Sequence, residues 1–413
     1  MCGIGLFLAR QQGLVRAFGV RHHPLTGARN PGEGRAAHRP GAKSAASEFQ
    51  ERAVTVTYPL TASILEQPSV SPSSPSQGLP GHDTVVARRI SRTEPASVPY
   101  DVLDAYRTCE FVTLGRDGIP LAWPTAVARR EDGTLLVTTC LAFAQKALNV
   151  RRDGRVALLF SDPTGSGLSH APQVFVSGRA ECPDTIMTGP QGAEDYWRRL
   201  FERQPHSRSY LTRPMRPLMS WYYLRLLITV EPQNVIVRPP LADLVHRSAP
   251  MSATGAWSMP GMAQLGRAPS AVLAARDASG APVLARTLPR PTSSGYLVEV
   301  PADCPVEDGP AGLLVHRHDE RLNDMYNAFV RGTLQRTAAG RLLVPSRVIE
   351  PMGSGRARDA LRVLRQTKRS TDRYLARRGL SRPTVQWDRF RALVRPAPVV
   401  PRVPSPVKGS PHQ

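Results

Sequence analysis

The hydrophobic pattern divides the chain into stretches with a period and stretches without one. Residues 1–94 carry little periodicity, and Pro68–Gln77 is a run of Pro and Ser. Such a run buries too little apolar surface to offset its ordering entropy, so this region is expected to be disordered. Pattern begins near Val98, where Val102, Leu103 and Tyr106 are spaced for a short helix. Glu110–Ala128 then reads as a strand, a tight turn at Asp117-Gly118 and a returning strand. Glu131-Asp132-Gly133 makes the next turn and Thr134–Thr139 a third strand, followed by a short amphipathic helix around Lys146. Val156–Phe160 is a brief apolar run, 162–171 a polar loop, and Gln173–Arg179 alternates with period two. Residues 193–203 predict an amphipathic helix, and Trp221–Val230 with Val235–Arg238 predict closing strands. Many short antiparallel strands with one or two helices argue a small barrel.

The second half repeats this order. Ala271–Arg286 parallels the hairpin at Phe111–Trp123, matching Arg276-Asp277 to Arg116-Asp117 and Pro282 to Pro120. Gly295–Val300 takes the place of Gly133–Thr138, Ala311–Val315 that of Val156–Phe160, and Asn327–Thr333 that of Gln173–Arg179. Four segments in the same order predict a duplicated barrel. Between its third and fourth strands the copy has only Pro301–Pro310, without a lysine and without room for a helix. The fold class expected is therefore mainly β (α+β): tandem split β-barrels, the second degenerate, with a disordered N-terminal region and a basic helical C-terminal tail. The domains expected are 1–94, the first barrel at 95–240, the second at 241–352, and a basic helix with a Pro-rich tail at 353–413.

Charge changes this picture less than its size suggests. The formal net charge is +21, yet only Lys43, Lys146, Lys368 and Lys408 are lysines and the other 50 basic residues are arginines. That bias fits GC-rich codon usage better than selection for a basic surface. From Ser354 onward there are 15 Lys plus Arg against 3 Asp plus Glu, a net +12, and a solvated basic tail is the expected form. Nucleic acid is not the expected partner. The five cysteines stand singly, with no Cys-x-x-Cys spacing, which suits reduced thiols in a cytoplasmic protein. No apolar run reaches the length of a membrane span, so no membrane is expected. Met1-Cys2-Gly3-Ile4 resembles the processed start of class II glutamine amidotransferases, but the next ninety residues lack that enzyme's sandwich pattern and its Asn-Gly pair.

The candidate chemistry lies in the first barrel. Thr138 and Thr139 end a strand, and a turn later the helix presents Lys146, the only lysine between residues 44 and 367. Strand-end hydroxyls, a helix N-terminus and a cation together make a receptor for a phosphate. Pro124 inside a strand marks an edge or a bulge, where backbone groups are free to face a ligand. His316 and His318 would share one face of a strand as a metal pair, but with no third ligand in sight they read as a solvent-facing strand end; no metal is expected. No side chain stands out as a catalytic acid or base.

The stretch 98–240 resembles the pyridoxamine 5'-phosphate-oxidase-like split-barrel flavoproteins. The resemblance rests on the Asp-Gly hairpin, the Thr-ended strand, Lys146-Ala-Leu-Asn149 with the apolar run after it, and the later Val174–Glu181. It implies an FMN site at a barrel–barrel interface, with Lys146 on the phosphate, Thr138 and Thr139 beside it, and Trp123, Pro124 and Thr125 along the isoalloxazine ring; Asn149 belongs to the same motif. It implies a flavoprotein oxidoreductase acting on a small-molecule substrate, with F420 or haem as alternative cofactors. The alternative outside enzymology is a non-catalytic cofactor-binding or regulatory protein with a basic tail. Family members pair as homodimers, and a tandem repeat implies an intrachain pseudo-dimer in their place.

Overall fold

The computed structural model describes residues 100–240, 259–350 and 359–394. The region 1–94 expected to be disordered, and the Pro-rich tail from 395 onward, lie outside the described residues. The first sheet is built from β1 (Cys109–Leu114), β2 (Pro120–Thr125), β3 (Val127–Arg129), β4 (Leu135–Cys140), β5 (Arg155–Phe160), β6 (Gln173–Glu181), β7 (Ile186–Met187) and β8 (Arg225–Arg238). Its order is β2-β1-β5-β6-β8-β4-β3, with β7 paired to β8. The second sheet uses β9 (Ala271–Arg276), β10 (Pro282–Thr287), β11 (Arg290–Pro291), β12 (Tyr296–Val298), β13 (Gly309–Arg317), β14 (Tyr326–Thr337) and β15 (Gly340–Ile349). Its order is β10-β9-β13-β14-β15-β12-β11, the same path strand for strand. These are two curled antiparallel half-barrel sheets in tandem.

The copies agree in detail where backbone geometry is demanding. Register shifts occur at Ser177/Gly178 opposite Pro232 and at Arg331/Gly332 opposite Pro345. A Cβ on Gly178 would lie 2.1 Å from the Glu231 carbonyl oxygen, and one on Gly332 2.2 Å from that of Val344. Both bulges therefore require glycine on one strand, and both admit proline on the other. The hairpins superpose through Pro120 with Pro282 and through the positive-φ turn residues Gly118 and Gly280. The sequence match of Arg116-Asp117 to Arg276-Asp277 is thus two residues out of register; in the backbone, Asp117 corresponds to Ser279.

The helices are α1 (Tyr100–Ala105), α2 (Gln145–Arg152), α3 (Glu194–Arg203), α4 (Arg216–Tyr223), α5 (Met262–Leu265), α6 (Asp359–Ala376) and α7 (Trp387–Val394). A 3-10 turn, Leu141–Phe143, links β4 to α2. Nothing equivalent to α2 lies between β12 and β13. Trp221–Leu224, expected in a strand, instead ends α4 and its cap: Pro217 sits in the first turn, where its missing N–H costs nothing.

The C-terminal helices correct a second expectation. Val363, Tyr374 and Leu375 of α6 and Phe390 of α7 are buried in the first barrel's core. Phe390 packs 4.7 Å from the Trp197 ring centroid and 4.8 Å from that of Tyr223. The basic helix is therefore docked, not solvated.

A separate apolar cluster joins the two sheets through matched positions. Val112, Leu159 and Phe175 of the first meet Ala274, Leu314 and Phe329 of the second. At the rims, Arg155 donates to the Ser279 carbonyl and Arg331 pairs with Asp117, each reaching the other copy's hairpin turn.

Candidate functional site

The segments carrying the candidate residues converge at one end of the first sheet. Strand β2 is an edge strand, as Pro124 requires, since proline offers no donor to a further neighbour. Helix α2 brings Lys146 back over that edge: its ammonium donates to Thr125 Oγ1 at 3.0 Å and lies 5.6 Å from the Trp123 ring centroid. Lys146, Thr125 and Trp123 are thus brought together. Lys146 is only 4% exposed and Thr125 1%.

The other hydroxyls are committed within the protein. Thr139 Oγ1 donates to the Phe143 carbonyl at 2.8 Å and so caps the 3-10 turn. Thr138 Oγ1 accepts from Arg225 at 2.8 Å. Asn149 is fully buried; its amide donates to Thr113 Oγ1 at 2.9 Å and its oxygen accepts from Gln145 and Arg152. Asn149 braces α2 against β1. Helix α6 packs over the 3-10 turn and covers this end of the barrel.

Arg225 carries no signal in the sequence beyond following Tyr222-Tyr223, yet it anchors this region. Its guanidinium lies 4.6 Å from the Trp197 ring centroid and 4.4 Å from that of Tyr222, and it donates to the Tyr222 carbonyl. It is 1% exposed, and among the described residues it has no carboxylate partner. The two aromatic faces and the hydrogen bonds compensate its desolvation.

The second sheet closes the other side. A cavity of about 10 Å³ is bounded by Thr108 and Pro124 of the first sheet and by His316, His318, Met325 and Tyr326 of the second. His316 and His318 therefore line the seam between the sheets, not a solvent-facing strand end; their side chains are 1% and 2% exposed. Beside them is a buried ionic network. Glu110, on β1, accepts from Arg286 and His316 at 2.7 Å each through one oxygen, and from Ser161 at 2.7 Å through the other. Arg286 also donates to Ser161 and Ser270. Burial alone would push the Glu110 carboxyl up, but the Arg286 charge and the His316 and Ser161 hydrogen bonds hold it below the ordinary carboxylate range. Asp162 faces His316 at 3.8 Å and His318 at 3.6 Å. Burial pushes its pKa up too, and the charges of His316, His318 and Arg286 bring it below the ordinary value.

The backbone register shows how this network arose from a duplication. In the other copy Glu110 corresponds to Val272, Arg286 to Pro124 and His316 to Ser161. One seam position in each pair carries an ionisable side chain and its counterpart does not, so the two halves are complementary and not equivalent. Among the described residues, no group of three His, Cys, Asp or Glu side chains could hold a metal ion, and no helix is long and apolar enough to cross a membrane.

No protein-family model matches the sequence, and no curated protein matches it. Solved structures do resemble the chain. An F420 reductase is 21% identical over 34% of this chain and 97% of its own, with a TM-score of 0.26. A putative pyridoxamine 5'-phosphate oxidase from Listeria innocua is 16% identical over 33% of this chain and 93% of its own, with a TM-score of 0.23. HutZ, the haem storage protein from Vibrio cholerae, is 12% identical over 34% of this chain and 94% of its own, with a TM-score of 0.24.

Proposed function

We propose that the first barrel binds a phosphate-bearing cofactor of the flavin type, FMN before F420, with Lys146 as its phosphate anchor, and that the complex serves oxidoreduction of a small molecule. One observation carries this reading: Lys146 of α2 meets Thr125 and Trp123 of β2 at a buried strand edge. A desolvated ammonium beside a hydroxyl suits a phosphate oxygen, because charge-assisted hydrogen bonds are strongest away from water. When bound, such a cofactor supplies hydride or single-electron chemistry. The residues of the chain bind it, orient it and exclude water: Lys146 and Thr125 at the phosphate, Trp123 and Pro124 as an apolar wall. Haem carries carboxylates and no phosphate, and would make Lys146 less decisive.

At the phosphate end the donors are of the right kind, but Lys146 and Thr125 are 4% and 1% exposed and would have to be uncovered. The ring end fits only after a movement, since a cavity of about 10 Å³ is far below the several hundred typical of a cofactor site. The wall that would have to yield is the segment 319–326, where Leu322 and Asp324 hold φ of 54° and 43°. On this reading the second barrel is the first one's built-in partner, and the chain is an intrachain pseudo-dimer. The closed seam favours a second reading, a non-catalytic protein whose barrels are a scaffold. Titration of the cofactor-free protein with FMN, F420 and haem, followed by ring absorbance and fluorescence, separates the two. Binding of FMN or F420 that weakens about tenfold or more in Lys146→Ala supports the first reading; no binding of any of the three leaves the second.

A further inference from the structure

Away from this site, α7 and the segment between α3 and α4 enclose a cleft of about 440 Å³ whose walls carry Arg208, Arg213, Arg216 and Arg391, with Leu211 and Val394 between them. That volume is in the range of small-molecule sites. Arg208, Arg213 and Arg391 are exposed, and among the described residues the side chains of Arg208 and Arg213 make no hydrogen bond or ion pair. Among the described residues the carboxylate paired with these arginines is Asp388, 3.7 Å from Arg216 and 3.5 Å from Arg391 and 88% exposed. A carboxylate so hydrated neutralises little. The sequence around the cleft is equally one-sided: Gln204–Arg225 holds four arginines and no acid, and Arg389–Gln413 holds five basic residues and no acid. No segment adjoining the cleft in the chain brings a compensating charge.

Four guanidiniums around one concavity make a positive space suited to an anion shared among them. Arginine's planar fork binds phosphate oxygens two at a time, so four forks facing one space suit a ligand with more than one phosphate. The backbone reinforces the placement. The Arg216 guanidinium is fixed by a hydrogen bond to the Leu211 carbonyl and lies 5.6 Å from the Trp387 ring centroid, so it is presented to the cleft in one orientation.

We infer that this cleft is a binding site for a small ligand carrying a pyrophosphate or an equivalent pair of phosphates. The cleft and its ligand are independent of the cofactor reading above. The test is isothermal titration calorimetry of the full chain with inorganic pyrophosphate at low salt, beside the variant Arg208→Ala/Arg213→Ala. Among the described residues neither side chain has a partner to lose, so the variant should keep the fold, which an unchanged thermal melt verifies. The expected result is saturable binding at one site, weakened about tenfold or more in the variant, with orthophosphate the poorer ligand. Absence of saturable heat at millimolar pyrophosphate, or equal affinity in the variant, overturns the proposal. So does tighter binding of a short oligothymidylate that pyrophosphate does not displace, because the cleft would then belong to a nucleic-acid surface.

Discussion

Glu110→Gln is the substitution from which the most can be learned about how the two halves hold together. The change removes one charge and keeps the shape. It leaves the Arg286 guanidinium, 4% exposed, without its anion, and puts a neutral amide oxygen where Arg286 and His316 share a carboxylate oxygen at 2.7 Å. Breaking one side of a buried ion pair costs about 3–5 kcal/mol, because the surviving charge stays desolvated. With a melting-temperature change of about 2–4 °C per kcal/mol for domains of this order of size, Glu110→Gln should melt roughly 6–20 °C lower. Glu110→Leu/Arg286→Met removes both charges, and it should be far more stable than Glu110→Gln, since an apolar pair of similar volume costs little. Urea unfolding at neutral pH, followed by circular dichroism for the wild type, Glu110→Leu, Arg286→Met and the double variant, gives the coupling energy directly. A loss below about 1 kcal/mol in Glu110→Gln, or a double variant whose loss equals the sum of the singles, would refute the claim that this pair ties the barrels together.

Three further outcomes follow from the same geometry. Glu110 and Asp162 are both held below their ordinary pKa, so their contribution is complete above the unfolded value near ~4 and is lost as pH falls from there through the folded values. Urea midpoints should be flat with respect to these groups from pH 7 to 5 and fall below pH ~4, and a smaller acid loss is expected in Glu110→Gln. Phe390→Ala deletes a fully buried ring packed on Trp197 and Tyr223 and should cost about 3–5 kcal/mol in urea unfolding; a loss near zero would return α7 to a solvated tail. If the second barrel replaces a second subunit, sedimentation at micromolar concentration should give the 45.1 kDa monomer, and a stable dimer would contradict the pseudo-dimer.

The sequence carried most of the succession of strands along both barrels because its signals are local. Asp117-Gly118 turns, Pro120 and Pro282 begin return strands, and Gln173–Arg179 alternates, each without help from the rest of the chain. The pairing of Lys146 with the edge strand was half legible: the helix and the strand could be placed, but Thr125 was expected along a ring and stands at the ammonium. The hydroxyls of Thr138 and Thr139 looked available because the sequence does not show Arg225 or the Phe143 carbonyl beside them.

The seam was not legible at all. Glu110 reads as a strand-flanking charge, Arg286 as one arginine among fifty, and His316 as a strand end. Only tertiary register decides that they face one another. In α6 the buried stripe is Val363, Thr367, Thr371 and Leu375, and the two threonines at its centre hide the apolar period among many basic residues. Threonine can be fully buried in a helix when its hydroxyl bonds back to the preceding turn, as Thr371 does to the Thr367 carbonyl at 2.9 Å.

The visible absorption spectrum of the purified protein, recorded beside Lys146→Ala, tests the central claim most directly. The cofactor reading predicts flavin or deazaflavin bands in the wild type, or on addition of FMN or F420, and their loss or strong weakening in the variant. A colourless protein that takes up neither would contradict it, as would bands of equal strength in both proteins, because Lys146 would then hold no phosphate.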